Sequence, residues 1–115
     1  MAIATATQRE NLAVAYGNAA THAALYTTAP GGSAGTEPSG GSPAYARKVL
    51  TWAPGTVDGT VTATAVFDVP AGATIVGAGV HTALTGGTYL DGGTVTSQAF
   101  GTQGTYTLTL TYNQS

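Results

Sequence analysis

His22 and His81 are the two imidazoles of the chain, and Arg9, Glu10, Glu37, Arg47, Lys48, Asp58, Asp68 and Asp91 are its charged side chains. Acid–base, metal and nucleophilic chemistry would have to come from this short inventory, and the spacing supports none of it. A metal site needs further ligands at compatible distances along the chain, which neither histidine has. His81 lies inside Val80-His81-Thr82, the place of a hydrogen-bonded structural histidine. Asp58 falls in the turn Val57-Asp58-Gly59 and Asp68 ends a strand, so turn and edge roles account for both. The serines of Gly32-Ser33-Ala34-Gly35 and Gly41-Ser42-Pro43 lack the strand–turn–helix elbow that a serine nucleophile requires. Gly31, Gly32, Gly35, Gly40 and Gly41 are not followed by Gly-Lys-Thr and a helix, so they build no phosphate loop. There is no cysteine, hence no thiol catalysis and no disulfide. The residues predict a non-enzyme with no catalytic, cofactor-binding or metal-binding side chains.

The elements that position these residues are strands. Tyr106, Leu108, Leu110 and Tyr112 alternate with Thr105, Thr107, Thr109 and Thr111. This period of two reads as a half-buried antiparallel strand with a threonine face. Val61, Ala63, Ala65, Phe67 and Val69 repeat the design against Thr60, Thr62, Thr64 and Asp68. Strands are expected over residues 21–28, 44–53, 59–69, 73–84, 88–90, 94–100 and 104–112. Pro54-Gly55, Pro70-Ala71-Gly72 and Gly101 to Gly104 serve as breaks, and Asp91-Gly92-Gly93 as a hairpin turn. Turn signals about every ten residues point to an all-β fold, a roughly seven-stranded antiparallel β-sandwich. A short N-terminal arm and helix precede it: Thr7-Gln8-Arg9-Glu10 has capping-box spacing, Leu12 and Tyr16 share a face, and Gly17-Asn18 stops the helix, which is expected over 8–16. The expected division is an arm and helix over 1–18 and a sandwich over 19–115. Residues 29–43, mostly Gly, Pro and Ser, read as a long exposed loop.

Length and composition bound the rest. At 115 residues one core is expected, and it must rest on Leu12, Leu25, Val49, Leu50, Trp52, Phe67, Ile75, Leu84, Leu90, Phe100, Leu108 and Leu110. Only 7% of residues are charged, against about 25% in ordinary soluble domains. Such a surface suits a chain packed in an assembly. The net charge of −2 gives no basic footprint for nucleic acid, and no apolar run approaches the roughly 18 residues of a membrane span.

Four segments resemble a family of small virion proteins of tailed bacteriophages, the tail fibre, minor tail and head decoration proteins. They are Ala24-Leu-Tyr-Thr-Thr-Ala-Pro-Gly31, Gly40-Gly-Ser-Pro-Ala-Tyr-Ala-Arg-Lys-Val49, Phe67-Asp-Val-Pro-Ala-Gly72 and Gly77-Ala-Gly-Val-His81. The resemblance implies a structural protein of the virion, assembled in the host cytoplasm, with major capsid or tail proteins as partners and no cofactor. Capsid decoration is the first expectation, with the chain packing on the major capsid protein and stabilising the shell. The alternative is a tail fibre or minor tail module that contacts host-surface carbohydrate, for which aromatics such as Tyr45, Trp52 or Tyr89 would have to stand beside polar partners. A homo-oligomer is expected in either case. Arg9, Leu12, Tyr16, Tyr45, Arg47 and Lys48 are the expected partner-contact residues, and the arm 1–18 and the loop 29–43 the elements that reach a neighbour.

Overall fold

The computed structural model describes residues 6–54 and 60–113. Helix α1 (Ala6–Ala19) is followed by β1 (His22–Tyr26), β2 (Lys48–Val49), β3 (Ala53–Pro54), β4 (Thr60–Val69), β5 (Thr74–His81), β6 (Tyr89–Ala99) and β7 (Gly104–Asn113). These form two antiparallel sheets, one in the order β2-β1-β5-β6 and the other β3-β4-β7. The fold is the all-β sandwich that the alternating strands predict.

The threonine strands pair with each other. β4 and β7 run in register along their whole length, from Thr60 opposite Asn113 to Val69 opposite Gly104. Because successive side chains point to opposite faces, Val61, Ala63, Ala65, Phe67, Val69 and Leu108 are buried, while Thr62, Thr64, Thr105, Thr107, Thr109 and Thr111 face solvent. The facing sheet contributes Ala23, Leu25, Ile75, Ala78 and Val80, and Leu50 and Phe100 close the core. Each large side chain buried here contributes roughly 1.5–3 kcal/mol.

The four-stranded sheet is covered on its other face as well. Tyr26 and His81 lie there, both buried, and Tyr26 Oη meets His81 Nε2 at 2.5 Å. Residues 29–38 fold over this face. Thr27 N–H donates to Thr36 O (2.7 Å), Tyr89 Oη to Gly31 O (2.8 Å), and Pro38 is buried. A side chain at Gly77 would collide with the Pro30 ring, and one at Gly79 would stand 2.7 Å from Tyr26 Oη. Gly77 therefore makes room for the loop and Gly79 for the Tyr26 ring, and the loop is pinned to its own domain.

Several sequence expectations are corrected. The strand over 44–53 splits: Lys48–Val49 pairs with β1, whereas Ala53–Pro54 pairs with β4. The intervening residues cross from one sheet to the other, which is why no single alternation survives there. Strands 88–90 and 94–100 are one strand, and the Asp91-Gly92-Gly93 hairpin does not form. Gly92 is needed within the strand, since a Cβ there would lie 2.8 Å from Ala78 O. Thr7 is already helical rather than a cap, and the helix continues past Gly17 to Ala19. Leu12, Val49, Leu84 and Leu90 are exposed rather than core, Val49 at 68%. Alanines take their place: Ala13, Ala20, Ala23, Ala63, Ala65 and Ala78 let the layers approach closely. The turn residue Asp58 and the arm residues 1–5 lie outside the described residues.

Candidate functional site

The open flank of the sandwich lies between β6 and β7, each the outermost strand of its sheet. A cleft of about 210 Å³ opens there, floored by Ala78, Val80, Leu108 and Leu110 and walled by Asp91–Val95. The register explains the gap. Ala78 points into the core and Gly93 stands opposite it across the ladder, so Gly93 faces the same way. A Cβ built on Gly93 would meet nothing within 4 Å.

Three aromatic residues crowd the mouth. Tyr16 of α1 stacks on Tyr112 of β7 with ring centroids 3.9 Å apart, and meets Trp52 edge-on at 5.7 Å. Trp52 is held by its indole N–H, which donates to Ala20 O at 2.7 Å. Gly17 is in contact with the same indole, a Cβ there coming within 2.9 Å of Trp52 Cγ, so α1 docks by having no side chain at this point. Asp91 shares the inward face with Val80, its partner across the ladder. Its Oδ2 accepts from Tyr16 Oη at 3.3 Å, and its Oδ1 from Gly92 N–H at 2.9 Å. Burial and then the Asp91 charge push the Tyr16 phenol up, so it stays a donor. An aromatic cluster, one carboxylate and an apolar floor line this small cleft.

A second constellation is a clasp. The Glu37 carboxylate accepts from Arg47 Nη2 (2.7 Å), Arg47 Nε (3.0 Å) and Tyr45 Oη (2.9 Å). Arg47 Nη1 donates onward to Ala83 O (3.1 Å) and Gly86 O (2.9 Å). The paired carboxylate holds the Arg47 guanidinium further up than usual. Tyr45 Oη also accepts from Leu25 N–H, and the ring stacks on Phe67. The long loop, β1 and the β5–β6 connection are thereby tied at one place.

The residues expected at a partner surface thus fall in different settings. Tyr45 and Arg47 come together in the clasp. Tyr16 joins the cleft. Lys48 Nζ lies 3.8 Å from Asp68, half-exposed, and Leu12 is exposed on α1. The Arg9 side chain lies outside the described part of the structure. Sequence reasoning missed Asp91, Gly93, Tyr112 and Glu37. Asp91 and Gly93 looked like a turn, and only the cross-sheet register reveals them. Among the described residues no cluster of three or more metal-ligating side chains exists, and no helix is long and apolar enough to cross a membrane.

Residues 5–114 match the family model described as Podophage GP4 fiber I protein gp80. The chain belongs to this phage fibre family. It is a structural protein of a tailed-phage virion. The match favours the fibre reading over the shell decoration that the sequence put first. No curated protein and no solved structure matches this fibre-family chain.

Proposed function

We propose that the chain is a non-enzymatic structural subunit of a podophage tail fibre, assembled in the host cytoplasm through contacts with tail proteins and with copies of itself. The family match over residues 5–114 carries this reading. The weakly charged surface supports it, because a subunit that spends its life in an assembly does not need dispersed charge for solubility. On α1, Leu12 and Val14 are exposed, and the solvent side of the helix is the surface offered to a tail protein. Tyr16, Tyr45, Arg47 and Lys48 serve the same assembly by holding the surfaces around them. Quantitative mass spectrometry of purified particles tests the reading. A small copy number set by tail symmetry supports it, and a ratio approaching that of the major capsid protein overturns it in favour of shell decoration.

The cleft favours a second, compatible role: holding a single sugar ring of a host-surface glycan. Sugars stack on aromatic faces and need a polar partner fixed beside them, and Tyr16, Trp52, Tyr112 and Asp91 supply both. The cleft is smaller than the roughly 300–1,000 Å³ of a drug-sized site, which limits the occupant to one ring. Titration of the protein with hexoses and N-acetylhexosamines, followed by NMR, should shift Gly92, Gly93 and Leu110 amides first. Shifts confined to residues away from the cleft would remove this role.

A further inference from the structure

Among the described residues the sandwich has four outer strands, and three of them are ill suited to pairing with another chain. β2 is two residues long, and β3 has Pro54 as one of its two described residues. β6 is long, but its register with β5 shifts between Ile75 and Gly77 and again between Val80 and His81, and it carries the inward-facing Asp91. Short length, irregular register, proline and inward charge are the devices by which sheets protect their edges. β7 has none of them. Its ten residues pair with β4 without a shift, and it contains no charged residue and no proline. On its other side no strand pairs with it among the described residues. Alternate residues of an antiparallel strand direct N–H and C=O away from the partner, so one side of β7 presents a row of backbone donors and acceptors.

We infer that this edge receives a second copy of the chain, β7 against β7 in antiparallel register, fusing two three-stranded sheets into one. The inference rests on the self-association in the fibre reading and names its surface. A copy fits better than an unrelated partner because the strand is self-complementary. A two-fold axis near Leu108 sets threonine opposite threonine on the outer face and apolar opposite apolar on the inner face, with no like charges in contact. A charged partner would find nothing on β7 to select it.

Native mass spectrometry and hydrogen exchange on the full chain, dilute and concentrated, test the inference without any substitution. The expected result is a monomer–dimer equilibrium in which alternate β7 amides exchange fast in the monomer and become protected in the dimer. A monomer at both concentrations, a closed trimer, or a dimer that keeps fast alternate amides in β7 overturns it. Thr107→Lys with Thr109→Lys places lysine opposite lysine across the axis and should weaken the dimer about tenfold or more. The control, Thr62→Lys with Thr64→Lys, puts the same charge on the same face of β4, one strand in from the edge. Equal weakening by both pairs would assign the contact to the threonine face and not to the edge. Particle stoichiometry judges the fibre reading separately, so each can fail without the other.

Discussion

Gly93 stands directly across the β5–β6 ladder from Ala78, and between the sheets it contributes no atom where Ala78 contributes a methyl group. The cleft at the open flank follows from that pairing, since every neighbouring inward position holds a side chain. Gly93 is itself exposed, so the position marks an unfilled indentation at the open rim of the core.

Filling it should stabilise the protein. The backbone at Gly93 is not in the left-handed region, and Gly93→Ala should therefore raise stability by about 0.4–1 kcal/mol through the unfolded chain alone. Gly93→Leu should raise the melting temperature further while abolishing sugar-induced NMR shifts. A loss of stability in both variants would show that the inward space is not open.

Gly17→Val tests the docking of α1. Its side chain would enter the space held by Trp52 Cβ and Cγ, and overpacking of this kind costs about 1–3 kcal/mol. Trp52 is the sole tryptophan, so the displacement is read directly. Emission should move to longer wavelength, with a lower melting temperature and unchanged strand signal in circular dichroism.

His81 should make stability depend on pH. Burial first, and then the Arg47 charge, lower its pKa below the ordinary value of 6.5, while burial raises the Tyr26 phenol. Both shifts favour a neutral pair, joined by the hydrogen bond between Tyr26 Oη and His81 Nε2. The unfolded chain then binds the proton more readily than the native one. The contribution is complete above about pH 6.5 and is lost as pH falls below that value toward the folded-state pKa. Denaturant titrations should show this decline below pH 6.5, and His81→Gln should flatten it.

The clasp predicts a coupled opening. Arg47→Lys retains the charge but loses the two-point contact with Glu37 and the reach to Ala83 and Gly86. A cost of roughly 1–3 kcal/mol is expected. Hydrogen exchange should quicken together in residues 36–48 and 83–87, although these segments are far apart in the chain. Independent behaviour of the two would show that Arg47 does not tie them.

The legible parts of this chain are those in which one strand stays in one environment. β4 and β7 alternate cleanly because each has one face in the core and one in water. The segment from Lys48 to Pro54 obeys no single period, because it leaves one sheet and enters the other. Gly92 and Gly93 imitate a turn because glycine in a strand, placed for close approach or left unfilled, has the same composition as glycine in a hairpin. Leu12 and Val49 look like core by type but are exposed, while alanines fill the interior at close sheet spacing. Trp52 was visible as a candidate aromatic and His81 as a structural histidine. Tyr16, Asp91 and Tyr112 meet only through tertiary packing, and no local pattern links them.

The stacking of Tyr16 on Tyr112 has a mechanical meaning. It joins the helix that opens the described chain to the strand that closes it. A tensile load that pulls α1 away from β7 meets at that pair of rings. The rings, with Trp52 and Asp91 beside them, carry that load into β7, and the paired backbone of β4 and β7 spreads it across the sheet.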